Sequence, residues 1–148
     1  MDLTYQVGSA LPKSIGELAR VASAEGFAMV HRLIDDYVSG ANMFSKCGEH
    51  LCVALSGNEV IAVGGINVDP YYDSPSLGRI RHVYVRPDCR RSGVGTRLMG
   101  IIEAQGRQHF ESLQLFTATE RAARFYEALG YVPIQGRWKV SHEKRIGA

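Results

Sequence analysis

Val83-Tyr84-Val85-Arg86-Pro87-Asp88-Cys89-Arg90-Arg91-Ser92-Gly93-Val94-Gly95-Thr96-Arg97-Leu98 is a β-capable run that breaks at Arg86-Pro87-Asp88 and restarts as an amphipathic helix. A strand feeding a glycine-containing turn and then a helix leaves several backbone N–H groups free at the positive end of the helix dipole. That is an anion site, suited to phosphate. Gly93 and Gly95 carry no side chain, so a ligand can approach the backbone closely, and Arg90 and Arg91 add cationic donors beside it. Two nucleotide readings fail. A Walker loop needs GxxxxGK followed by Ser or Thr, and no such string occurs. A dinucleotide fingerprint needs GxGxxG, and Leu98 stands where its third glycine belongs. A tight glycine turn with two solvated arginines is the plainer alternative.

Working outward, the helix continues through Leu98, Ile101, Ile102 and Gln105, and Leu113 to Thr117 reads as a short strand. Glu120 to Leu129 is a helix with Ala122, Phe125, Tyr126 and Leu129 on one face and Gly130 as its C-cap. Tyr131 to Ile134 and Trp138 to His142 are strand candidates. Upstream, Gly78 to Val85 is a strand preceded by the turn-rich loop Asp69 to Pro75. Val60 to Val68 pairs back on His50 to Leu55 through the hairpin turn Ser56-Gly57-Asn58. The stripe Val30, Leu33, Ile34, Tyr37 and Val38 is a helix ended by Gly40. A preceding helix carries Leu18, Val21 and Ala22, with Ser14 and Glu17 spaced as a capping box and Gly26 as its stop. Leu3 to Val7 is a first strand. The order β-α-α-β-β-β-α-β-α-β-β predicts an α/β fold: a single mixed, mostly antiparallel central sheet with helices on both faces.

Composition bounds the function. The 148 residues fit one domain, 1–148, and 45% hydrophobic with 22% charged residues describes an ordinary globular chain. The 17 basic and 15 acidic residues balance to +2, which argues against a nucleic-acid partner. No apolar run reaches the ~20 residues of a bilayer span, so no membrane association is expected. Met1-Asp2-Leu3-Thr4 has neither the basic nor the apolar region of an export signal. Cys47, Cys52 and Cys89 are odd in number without CxxC spacing, and the five histidines are scattered. Neither a disulfide framework nor a metal site is expected, and a reducing, cytoplasmic setting fits best.

The spacing Arg90-x-x-Gly93-x-Gly95 resembles the acyl-CoA pyrophosphate loop, Q/R-x-x-G-x-G/A, of the GNAT superfamily of N-acetyltransferases. Ala122-Ala123-Arg124-Phe125-Tyr126-Glu127-Ala128-Leu129-Gly130-Tyr131 is similar to the same family's A-x-x-F/L-Y-x-x-x-G-F/Y segment. The two motifs stand in the family's order and separation, and the element order agrees over nearly the whole chain. Gly64 to Tyr71 also looks like a bacterial subgroup of the family. The resemblance implies a GNAT-like fold that transfers an acetyl group from acetyl-CoA, a co-substrate, to a primary amine by direct attack. The acceptor would be a small molecule or a peptide, and homodimers occur often in the family. Two other functions compete: a catalytically silent acyl-CoA sensor, and a recognition module using the arginines.

The resemblance also implies roles. Backbone groups of Val83, Tyr84 and Val85 would pair with the pantetheine, with one N–H polarising the thioester carbonyl. Arg90, Arg91, Ser92, Gly93, Val94, Gly95 and Thr96 would form the pyrophosphate loop. Phe125 belongs to the same cofactor-binding set. Tyr126 would protonate the departing thiolate, because sulfur leaves more easily as a thiol. Thr119 stands where the family often has Asn; it either meets the pantetheine or caps the helix. The family often carries a carboxylate on the strand before the loop, facing the acceptor, but here that face shows Arg79 and Arg81, which accept no proton. Three readings stay open: another base (His82, Asp36, Asp69, Tyr71 or His142), a water chain, or arginines that bind an anionic group of the acceptor. Arg79, Arg81, Asp69 and Tyr71 are the substrate-binding candidates, with Trp138, Tyr72 and Tyr37 as further pocket aromatics. By alternation, His82 faces away from the two arginines.

Overall fold

The most apolar strand, Glu59–Val68, has eight of its ten residues buried and lies inside the sheet, paired on both edges. The computed structural model describes residues 2–147. Around that strand the chain runs β1 (Thr4–Gly8), α1 (Ile15–Ala24), α2 (Met29–Ser39), β2 (His50–Ser56), β3 (Glu59–Val68) and β4 (Leu77–Val85). One 3₁₀ turn at Pro87–Cys89 leads into α3 (Val94–Gly106), β5 (Ser112–Leu115), α4 (Glu120–Ala128), β6 (Val132–Pro133) and β7 (His142–Arg145). The strands form one sheet in the order β1-β2-β3-β4-β5-β7-β6. Only β4 and β5, joined across α3, run parallel. Leu18, Val30 and Leu33 of α1 and α2 pack on Leu51, Val53 and Val63. Leu98 and Ile102 of α3 pack with Ile66, Ile80 and Leu113 on the opposite face. The expected element order and two-faced α/β sheet are both present.

Two irregularities position everything else. Gly65 faces Arg81 and Val63 faces Tyr84, so His82 and Val83 together oppose Gly64 alone. This is a β-bulge, and His82 takes φ +59 within it. A bulge bends its strand and re-aims side chains. The second irregularity is the short β4–β5 ladder, which pairs only Leu77, Gly78 and Arg79 with Ser112, Leu113 and Gln114. Beyond that, the β5 side is held by Ser141, whose N–H donates to the Leu115 carbonyl (2.9 Å) and whose Oγ accepts from the Thr117 N–H (2.9 Å). The two strands therefore diverge.

Three local expectations are corrected. The last strand is not Trp138 to His142 but His142–Arg145, after positive-φ breaks at Gly136 and Lys139. Its polar sequence is held by side-chain pairing rather than apolar alternation: a hydrogen bond between His142 and Glu127 (2.8 Å), and ion pairs of Glu143 with Arg137 (2.5 Å) and Lys144 with Glu103 (2.8 Å). The capping box does not form. Ser14 Oγ donates to the Asn58 carbonyl (2.8 Å), and Glu17 pairs with Arg20. His82 does not face away from the arginines: its ring meets Phe44 edge-on (6.2 Å) on the α1–α2 side, because the bulge breaks the alternation. Among the described residues, no helix is long and apolar enough to cross a membrane.

Gly65 is required by close approach. A Cβ there would stand 2.5 Å from Cε1 of Phe44, which is 1% exposed. Gly65→Ala is expected to cost about 1–3 kcal/mol through forced repacking. Urea unfolding should show a lower midpoint with an unchanged slope; an unmoved midpoint would mean that Phe44 gives way freely.

Candidate functional site

The divergence of β4 from β5 opens a cleft of about 1160 Å³. Its walls are β4 from Arg79 to Val85, the segment Leu115 to Thr119, Phe125 and Tyr126 of α4, the start of α3, and the α1–α2 corner at Gly26 to Met29. From Arg81 onward, β4 has no strand partner on its β5 side among the described residues. That edge offers backbone groups to an extended ligand, in the manner of an added strand.

At one end of the cleft, Gly93 caps α3 at φ +85, a conformation that favours glycine. The first intrahelical bond runs from the Arg97 N–H to the Gly93 carbonyl (3.0 Å), so the preceding N–H groups lack helical partners. Gly95 answers to a different constraint. A Cβ there would lie 3.2 Å from the Phe125 ring, so this glycine first permits α3 and α4 to close. Ser92 Oγ is turned inward, donating to the Cys89 carbonyl (2.6 Å).

Arg90, expected beside the phosphate as a free cation, is engaged within the protein. Its Nη atoms grip Glu25 (2.7 and 2.8 Å), and its Nε donates to the Val85 carbonyl (3.0 Å). It thereby ties the loop to the end of α1. Tyr84 joins through its hydroxyl, which donates to Glu25 (2.6 Å), so the contribution Tyr84 offers the cleft is backbone. The Arg90 fork holds the Glu25 carboxyl down at about 2 despite partial burial. Burial first, then the Glu25 contact, pushes the Tyr84 phenol up to about 12. Arg91, at φ +64, is exposed and is the loop arginine that lines the cleft without an ion pair among the described residues.

Tyr126 lines the cleft at 8% exposure, packed edge-on between Phe125 (5.1 Å) and Tyr131 (5.6 Å). Its hydroxyl has no hydrogen-bond partner among the described residues, and burial raises its pKa well above the ordinary phenol value. It is a protonated donor across the neutral range. Thr119 caps the helix, its Oγ1 accepting from the Ala122 N–H (3.2 Å), and it also lines the cleft.

The substrate candidates divide. Asp69 is fully buried and saturated, accepting from Arg79 Nε (2.9 Å), Gln114 (3.2 Å) and the Tyr71 N–H (2.9 Å). Arg79 is therefore not a surface arginine, although it still lines the cleft, with Tyr71 stacked against it (4.9 Å). Arg81 and His82 line the same wall. Burial, then Arg81, lowers the His82 pKa to about 4, so its imidazole is neutral at pH 7. Trp138 packs on Tyr71 (5.5 Å), and the Tyr72 hydroxyl donates to the Trp138 carbonyl (2.6 Å). Asp36, Tyr37 and His142 do not line the cleft; Tyr37 bonds Ser9, and His142 bonds Ser141 and Glu127. The sequence reading missed Arg32, which α2 carries to the cleft, Lys139, which the loop before β7 places there, and Glu25, which stands behind the cleft as the partner of Arg90. Among the described residues, no three His, Cys, Asp or Glu side chains gather as a metal site.

Residues 47–133 match a family model described as an acetyltransferase (GNAT) domain. Among solved structures, a candidate acetyltransferase from Exiguobacterium sp. 255-15 is similar at 33% identity and TM-score 0.85, covering 98% of this chain and 94% of that one. A candidate GNAT-family acetyltransferase from Desulfovibrio desulfuricans (16% identity, TM-score 0.73, 98% and 99% covered) shares the fold. So does an acetyltransferase from Streptococcus agalactiae (16% identity, TM-score 0.73, 95% of each chain). No curated protein matches the sequence.

The Glu25–Arg90 pair carries a pH signature. A carboxyl held at about 2 against an ordinary 4.5 stabilises the fold fully above pH 4.5, and that contribution fades as the pH falls toward 2. The difference in Tm between the native chain and Glu25→Gln should be constant from pH 7 to 5 and narrow below 4.5. A gap that persists unchanged at pH 2.5 would remove the ion pair as its cause.

Proposed function

The chain belongs to the GNAT acetyltransferase family, and on that premise we propose that it transfers the acetyl group of acetyl-CoA to a primary amine by direct attack. The observation that carries the reading is a gap between β4 and β5 with the unpartnered N–H groups of the α3 start at one end and the Tyr126 hydroxyl on its wall. Residues 1–148 act as one acetyltransferase domain, in a reducing, cytoplasmic setting consistent with three free cysteines.

The residues fit acetyl-CoA. The N–H groups from Arg91 to Thr96 and the Arg91 side chain would hold the pyrophosphate. The open edge of β4 at Val83 to Val85 would hold the pantetheine and offer an N–H to the thioester oxygen. Phe125 supplies an apolar wall, and Thr119 supports the site as a cap. Acetyl-CoA brings the activated acetyl thioester. The acceptor nitrogen attacks its carbonyl carbon, the N–C bond forms and the C–S bond breaks. The nitrogen must lose a proton, and water in the cleft carries it away: Arg79 and Arg81 accept none, and the His82 ring has its Nε2 buried and its pKa lowered to about 4. Asp69 is excluded from this role by its three donors. Tyr126 gives its proton to the departing sulfur.

Tyr126→Phe should lower kcat by ~10²-fold with acetyl-CoA affinity nearly unchanged. A full-rate Tyr126→Phe enzyme, under conditions where chemistry limits turnover, would remove the tyrosine from the reaction. Gly93→Val tests the loop separately. It imposes a β-branched residue at φ +85, so the loop must reshape and CoA affinity should fall by about tenfold or more in calorimetry. Retained affinity would dismiss the loop assignment. A chain that binds CoA but releases no thiol with any amine would be a silent acyl-CoA sensor.

A further inference from the structure

Charge is distributed unevenly along the cleft walls. Among the described residues, no Asp or Glu side chain lines the cleft, whereas arginines and a lysine line it at both ends. Arg90, Arg91 and Arg121 belong to the end where the phosphates of CoA would lie; Arg121 is close enough to help hold down Glu25. A second group stands at the other end. Arg32 and Arg81 flank His82 and both depress its pKa. Arg79 and Lys139 cover the same Tyr71 ring, with the Arg79 guanidinium carbon 4.9 Å and the Lys139 Nζ 4.3 Å from its centroid. CoA has no anion to offer at this end.

The second group is only partly neutralised. Asp69 pairs with Arg79 alone, and among the described residues Arg32, Arg81 and Lys139 have no ion-pair partner. Arg79 itself keeps a spare donor. Its Nε meets Asp69 (2.9 Å) and its Nη1 meets the Lys139 carbonyl (2.7 Å), while its Nη2 is buried with no partner, in a side chain only 5% exposed. A buried donor without an acceptor is costly. Two cations sharing one aromatic ring with a single counter-ion behind them form a site that an anion completes. The bond from Arg79 to the Lys139 carbonyl, at a residue held at φ +57, fixes the lysine over Tyr71 and Trp138.

We propose that the acceptor amine carries a small anionic group, a carboxylate or a phosphonate, held by Arg81, Lys139 and the spare Arg79 donor with Tyr71 as the apolar wall; this rests on acetyl transfer being the reaction. The anion anchors the acceptor so that its amine meets the acetyl end of the cleft beside His82. Polyamines and lysine-rich peptides are repelled.

Trp138, the sole tryptophan, sits against Lys139 (5.0 Å) and reports occupancy by fluorescence. The full-length protein, saturated with CoA, is titrated with α-amino acids, their matched amides, aminomethylphosphonate and spermidine, and thiol release from acetyl-CoA is followed with the same amines. The acids or the phosphonate should bind and react at least about tenfold better than the amides and spermidine; which of the two leads identifies the anion. Arg81→Gln, or Lys139→Met at an exposed position that the fold does not need, should bring the acid-to-amide ratio toward one. Thiol release that is equal for acids and amides, or fastest with spermidine, would overturn the anionic acceptor while leaving acetyl transfer standing. Acid-selective binding with no thiol release from any amine would overturn acetyl transfer, and the acceptor proposal with it.

Discussion

β4 is paired with β3 to its last residue but with β5 only from Leu77 to Arg79, and this unequal pairing shapes the site. A parallel ladder of three residues is too short to hold two strands together once other forces separate them. On one side, the bulge of His82 and Val83 against Gly64 bends β4. On the other, Ser141 draws the end of β5 toward β7. The unpaired edge would be a liability on a sheet's outside. Here it faces a cleft walled by α3, α4 and the α1–α2 corner, where a ligand can complete its hydrogen bonds.

The same bulge settles which side chains stand beside Arg79 and Arg81. In an unbroken strand, His82 would turn to the α3 face with Ile80. The extra residue keeps it on the side of Arg79 and Arg81, under α2, where burial keeps its ring neutral. Further along the chain, Arg90 is spent on structure. With Glu25 and Tyr84 it closes an ion pair around the Val85 carbonyl, joining the loop to α1. That leaves the N–H groups at the start of α3 and the Arg91 side chain as unpaired donors at that end of the cleft, among the described residues. A cation that closes a turn fixes the positions of amides, and fixed amides bind an anion without reorganising.

Much of this was legible in the residues. Arg90-x-x-Gly93-x-Gly95 at a strand-to-helix junction carries its own physics, because a left-handed glycine and a helix start are local properties. The face of α4 that presents Phe125 and Tyr126 follows from 3.6-residue spacing. The capping box at Ser14 and the strand at Trp138 were equally local inferences and did not hold. Ser14 found a partner 44 residues away in Asn58, and the true last strand, His142–Arg145, has no apolar signature because its side chains are held by Glu127, Arg137 and Glu103.

By itself, the sequence determined the order of strands and helices, the glycine turn that opens α3 and the tyrosine on the face of α4, since each depends on residues within about one or two turns of one another. Only the tertiary structure decided that Asp69 is locked behind Arg79, that Arg90 belongs to Glu25, and that Lys139 lies over Tyr71. The first two of these pairings join residues 10 and 65 positions apart. Long-range ion pairs and a bulge depend on which strands meet and in what register, and no short stretch of chain records that.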